Sequence, residues 1–94
     1  ALDPPTFGRG SSGQVWKIED DLPKLLGVCN RLREPGRPFT VILSCHSPGF
    51  SCLVLERLLE EACGRGGRFE SFEMTIPEST GRELPAGVSV RYTV

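Results

Sequence analysis

The sequence predicts a small α/β domain, and three observations carry that reading. Apolar residues recur at helical spacing in residues 18–32 and 52–62, and as β-type runs in residues 39–43, 69–76 and 88–94. The 11 glycines and 8 prolines cluster between those segments and mark the turns. The length, 94 residues, supports one core and not two. In order the chain reads strand stub, helix, strand, helix, strand, strand, which is the alternation of an α/β sheet.

The stub is Ala1-Leu2, closed by Asp3-Pro4-Pro5. Residues 6–13 are rich in Gly and Ser and read as a loop. Beyond them Ile18, Leu22, Leu25, Leu26, Cys29 and Leu32 fall on one helical face. Glu19, Asp20 and Asp21 at its start and Arg31 and Arg33 at its end suit the helix dipole. Pro23 is compatible only with a first turn. The regular helix is therefore expected to begin near Asp20 or Asp21, after a looser turn at 16–18, and to stop near Glu34 ahead of Pro35, Gly36 and Pro38.

Residues 39–43, Phe-Thr-Val-Ile-Leu, form a continuous β-branched and aromatic run, the pattern of a strand buried on both faces. Ser47-Pro48-Gly49 turns the chain, and Ser51 is a suitable N-cap for a second helix with Cys52, Leu55, Leu59 and Ala62 on its core face and Leu58 alongside. Gly64 is expected to close it in the left-handed conformation. In 69–76, Phe72, Met74 and Ile76 alternate with Glu73 and Thr75, and Pro77 ends the run. Val88, Val90, Tyr92 and Val94 alternate with Ser89, Arg91 and Thr93, so one face of that last strand is packed. Right-handed crossovers put both helices on one face of the sheet. The other face is then bare, and a partner or further chain is expected to cover it.

Composition excludes several functions. Lys plus Arg number 11 against 12 Asp plus Glu, a net charge of −1, which cannot hold a polyanion by bulk electrostatics. No apolar run approaches a membrane span, and the start has no signal-peptide features. Cys29, Cys45, Cys52 and Cys63 lack the spacing of a secreted disulfide scaffold, which points to reduced thiols in a cytoplasmic protein. The opening at Ala1, directly in an apolar stub, suggests a chain that begins within a larger element.

In an open α/β sheet, ligands gather at the carboxyl ends of the strands. Two such ends are Asp3-Pro4-Pro5 and Ser44-Cys45-His46, which face each other if their strands are neighbours. Asp3 could accept hydrogen bonds from an amino or amide group, and Phe7 could offer a ring to a planar substrate. Cys45 beside His46 is a candidate nucleophile, with a buried inert thiol as the plainer alternative. Cys52 and Cys63, about 16 Å apart by helical rise, cannot share a structural zinc, and no metal site is expected. Gly8-Arg9-Gly10-Ser11-Ser12-Gly13 matches a dinucleotide-loop string. It lacks both a full strand before it and a helix opening at its last glycine, so a flexible loop is expected.

The stretch LDPPTFGRGSSGQVWKIEDDLPKLL resembles motif IV and the following helix of class I S-adenosylmethionine (SAM)-dependent methyltransferases, in the group related to the large-subunit ribosomal RNA methyltransferases. The resemblance continues through SCHSPGFSCLVLERLL and GRELPAGVSVRY and so covers nearly the whole chain. It implies the C-terminal half of a Rossmann-like fold: a three-stranded mixed sheet in the family's order 5-7-6, two helices on one face, and Leu2 as the tail of the fourth strand. The N-terminal SAM-binding half, with its glycine-rich cofactor loop, then lies outside residues 1–94. It also implies that Asp3, Pro4 and Pro5 form the catalytic motif lining the target pocket, with Phe7 as companion, and that Ser44 and His46 border it. Relatives that methylate cytosine at carbon 5 carry a nucleophilic cysteine where Cys45 stands, whereas the SPGFS continuation resembles other relatives.

Three functions follow as expectations. The first is part of a SAM-dependent methyltransferase acting on RNA, inactive alone. The second is an independently folding half-domain that docks a separate N-terminal half, or a second copy, through the bare face. The third is a small hydrolase-like or redox domain using Cys45 and His46.

Overall fold

The computed structural model describes residues 1–94, in the order β1 (Phe7–Arg9), β2 (Val15–Lys17), α1 (Ile18–Arg31), β3 (Thr40–Cys45), α2 (Cys52–Cys63), β4 (Arg68–Pro77) and β5 (Glu83–Thr93). The main sheet has the order β3-β5-β4, with both neighbouring pairs antiparallel. Leu2 adds a parallel bridge to Leu43 on the free side of β3. Stub, β3, β5 and β4 thus follow the expected order, with the last strand in sequence inserted between its two predecessors.

One core joins both helices to one side of this sheet. Ile18, Leu22 and Leu26 of α1 meet Leu55, Leu59 and Cys63 of α2 over Val41, Leu43 and Cys45 of β3 and Val90 and Tyr92 of β5. Each fully buried leucine here contributes roughly 1.5–3 kcal/mol by leaving water. The result is two layers only, and the molecule measures 48 × 37 × 19 Å. No helix is long and apolar enough to cross a membrane.

Several local expectations are corrected. β3 is not buried on both faces: Val41, Leu43 and Cys45 point to the helices, while Ile42 is 40% exposed on the other side. Residues 6–13 do not form a flexible loop, because β1 and β2 pair as an antiparallel hairpin with Gly8 opposite Trp16. Helix α1 begins at Ile18, two to three residues early. Its entry is fixed by Ile18 N–H donating to the Thr6 carbonyl (3.0 Å) and by Lys17 N–H donating to Asp21 Oδ2 (2.9 Å). Pro23 is therefore its sixth residue, and the helix ends at Arg31 with Leu32 as cap, not at Glu34.

Ser51 caps α2 as expected, its side chain accepting from Val54 N–H at 3.3 Å. Gly64 closes that helix with φ 93° and ψ 170°, an extended positive-φ conformation and not the left-handed helical one. Strand β4 runs to Pro77, but Phe72 and Ile76 stay exposed because its core-facing positions begin at Phe69. The β4–β5 hairpin changes register between Glu73 and Thr75, where β5 carries an extra residue beside Gly87 (φ 99°). The uncovered face holds Ile42, Phe72 and an ion-pair cluster in which Glu70 meets Arg68 (2.7 Å) and Arg91.

Candidate functional site

Leu2 N–H donates to the Ile42 carbonyl (2.8 Å) and Ser44 N–H to the Leu2 carbonyl (2.9 Å). These two bonds set the stub parallel to β3, so both segments leave the sheet at the same edge by their carboxyl ends. His46 Nε2 lies 3.4 Å from Asp3 Oδ1, with the side chains 58% and 67% exposed. A second tie joins the same loops, where Thr6 Oγ1 and Ser47 Oγ share a 2.6 Å hydrogen bond.

Behind this pair the backbone is tightly held. Pro4 is buried and Pro5 exposed, and the Pro5 carbonyl accepts from Trp16 Nε1 at 2.7 Å. The hairpin is thereby fastened to the Asp3-Pro4-Pro5 segment. On the far side, a Cβ added to Gly87 would sit 2.6 Å from the Cys45 carbonyl oxygen and 2.7 Å from His46 Nδ1. The bulge in β5 thus brings bare backbone against the His46 loop, a contact open only to glycine.

The other expected site residues are distributed unevenly. Phe7 is half exposed on β1, with the Arg9 guanidinium 5.8 Å from its ring centroid. Ser44 does not join Asp3, because its hydroxyl is engaged with Ser89 Oγ at 3.1 Å. Cys45 is 1% exposed and faces the helices, and its Sγ accepts from Ser47 N–H at 3.5 Å. Cys52 and Cys63 stand at opposite ends of α2, and all four cysteines are free.

Sequence reasoning missed Thr6, Ser47, Trp16 and Gly87. Only Trp16 carried a usable signal, as the inward residue of the short β-type triplet Val15-Trp16-Lys17.

The glycine-rich string is a hairpin turn, with Gly10 N–H donating to the Gln14 carbonyl (2.8 Å) and Gly13 N–H to the Gly10 carbonyl (3.1 Å). Amides spent in this way cannot cradle a ligand at the start of α1. Between the hairpin and α1 lies an open groove of about 540 Å³, walled by Trp16, Leu25 and Val28 with Arg9 and Lys24 on its rim.

No protein-family model and no curated protein matches the chain. Among solved structures it is similar to the SAM-dependent methyltransferase from Agrobacterium tumefaciens, with 33% sequence identity and a TM-score of 0.80. The match covers 96% of this chain and 31% of that one, so the chain spans about a third of that enzyme's length and shares its fold there.

Proposed function

We propose that the chain is the target-side part of a SAM-dependent methyltransferase, the C-terminal half of its catalytic domain, and that its substrate is RNA. The observation that carries this is the convergence of Asp3 and His46 at the carboxyl ends of a parallel pair, inside a chain similar over 96% of its length to such an enzyme. Asp3 is the acceptor for an amino or amide hydrogen on the target base. Its Oδ1 faces His46, and Oδ2 is left free to accept from the base. The half-exposed Phe7 ring offers a face on which a planar base can stack.

SAM supplies the methyl group in such an enzyme, but this chain's residues do not make up a SAM site, since its glycine-rich string is closed as a hairpin turn. Further protein is the partner that provides that site. For cytosine C5 the thiol of Cys45 would have to attack the base. Its burial, its orientation toward the helices and its bond from Ser47 N–H favour a packing role. A non-covalent acceptor site at Asp3 and His46 is therefore the better-supported form of the proposal. The rival, a docking module, is favoured by the uncovered face with Ile42 and the 53% exposed Phe72.

The test is an NMR titration of the isotope-labelled chain with a short cytidine-containing single-stranded RNA, and separately with SAM. Saturable shifts at the amides of Asp3, Phe7 and His46 with RNA, weakened by Asp3→Asn, are expected, with little response to SAM alone. Shifts scattered over the uncovered face, or none at all, would overturn the reading.

A further inference from the structure

The groove between the hairpin and α1 has no role in the acceptor site, yet it is joined to it. Trp16 forms its wall and donates to the Pro5 carbonyl, two residues from Asp3. Trp16 is paired with Gly8 across the hairpin, so no cross-strand side chain covers the indole. Arg9 and Arg31 are exposed cations without an acidic partner, and Lys24 meets only Asp21, at 3.3 Å. Lys24, Val28 and Arg31 fall on one face of α1 by their spacing, and the Arg31 guanidinium lies over Gly27 on that face. Lys24 and Arg31 are about 10 Å apart by helical rise, a reach of roughly two nucleotides. The one carboxylate in the groove, Asp21, is engaged by Lys17 N–H and Lys24. Glu19 and Asp20 lie toward the opposite end of the helix from Arg31.

An apolar aromatic wall with cations spaced along one rim matches single-stranded nucleic acid, which stacks a base on the ring and lays phosphates against the cations. From this we infer that the groove binds a nucleotide flanking the target base, with its base on Trp16 and its phosphates on Arg9, Lys24 and Arg31. The inference rests on the RNA reading above and extends it from one base to a strand. It also reconciles an RNA substrate with a net charge of −1, because the cations are gathered where the strand passes.

Trp16 is the only tryptophan, so the fluorescence has a single source, on the wall of this groove. The test titrates the chain with a single-stranded RNA octanucleotide, with inorganic polyphosphate of matched charge as control, while the amides of Asp3 and His46 are followed by NMR. Saturable quenching by RNA is expected, with polyphosphate ineffective. The association constant should fall about 100-fold per tenfold rise in salt, as three neutralised phosphates of single-stranded RNA require. The variant Lys24→Gln/Arg31→Gln, at two exposed positions, should weaken binding while the fold is retained. Shifts at Asp3 and His46 with a silent Trp16 would overturn the groove and leave the acceptor site standing. Silence at both would overturn the two together. Equal quenching by polyphosphate, or a Trp16 signal that follows protein concentration without RNA, would overturn stacking in favour of simple charge or a second copy.

Discussion

Trp16 and Pro5, eleven residues apart, are joined by a 2.7 Å hydrogen bond from the indole Nε1–H to the prolyl carbonyl. Two three-residue strands with no other sheet neighbour are marginal by themselves. The bond fixes the hairpin to the segment that presents Asp3, and so couples a local element to the site. Trp16→Phe keeps a ring and removes the donor, and should cost about 1 kcal/mol. Faster amide exchange at Ile18, whose N–H is held by Thr6 next to Pro5, is expected in the same variant, with β5 unchanged. Equal exchange in wild type and variant would show that the hairpin holds without the bond.

Asp21 holds the start of α1 through the backbone N–H of Lys17, and this bond, helped by Lys24 and opposed by partial burial, lowers its pKa below the ordinary 3.8. A carboxylate lowered on folding contributes stability that is complete above its unfolded value and lost as pH falls through the folded one. Thermal midpoints should therefore drop in that acid window, and less so in Asp21→Ala, which starts from a lower plateau. A parallel drop in both proteins would remove Asp21 from the account.

The strand pattern of 88–94 showed its packed face because polar residues alternate with Val90 and Tyr92. The run 39–43 showed nothing of the kind, since Phe-Thr-Val-Ile-Leu contains no charged residue to declare which side meets water. For the same reason the sequence left the direction of Cys45 open. Its parity with Val41 and Leu43 turns the thiol into the core, while Ser44 goes to the opposite side with Ser89. The facing of the Asp3 and His46 loops was legible because strand-end geometry brings them together once Leu2 lies beside β3, whereas the contact between the two side chains was not. The hairpin was hidden by its Gly and Ser content, and by the dependence of its strands on a distant carbonyl. The early start of α1 was hidden likewise, because Thr6 and Asp21 satisfy its first amides where the position of Pro23 argued for a later turn.

Gly87 lies where the register of β4 and β5 changes, with positive φ and with Cys45 and His46 close against its α-carbon. Gly87→Ala combines an unfavourable backbone conformation with a clash against a carbonyl that β3 holds in place. It should cost about 1–3 kcal/mol in chemical denaturation. It should also displace the His46 imidazole resonances, whereas Gly36→Ala, at another positive-φ glycine with open space around it, should leave them unmoved. Unchanged His46 signals in Gly87→Ala would mean that the bulge does not position the site.

Tyr92 links the sheet to the end of α2, its hydroxyl donating to the carbonyls of Cys63 and Gly64, each at 3.2 Å. Burial, reinforced by the neighbouring Cys63 thiol and opposed by Arg33, raises its pKa above the ordinary 10.0. The folded state therefore holds this proton more firmly than the unfolded chain does. The stability it contributes is complete below the unfolded value and lost as pH rises through the folded one. Tyr92 is the only tyrosine, so tyrosinate absorbance follows it without interference. Its titration should be displaced upward from the ordinary value and should coincide with loss of structure. Tyr92→Phe leaves two helix-end carbonyls without their donor and should cost about 1–3 kcal/mol at neutral pH. Alkaline unfolding should then begin from that lower plateau with a shallower slope. A normal tyrosine titration with the fold intact would place the hydroxyl in water and detach β5 from the end of α2.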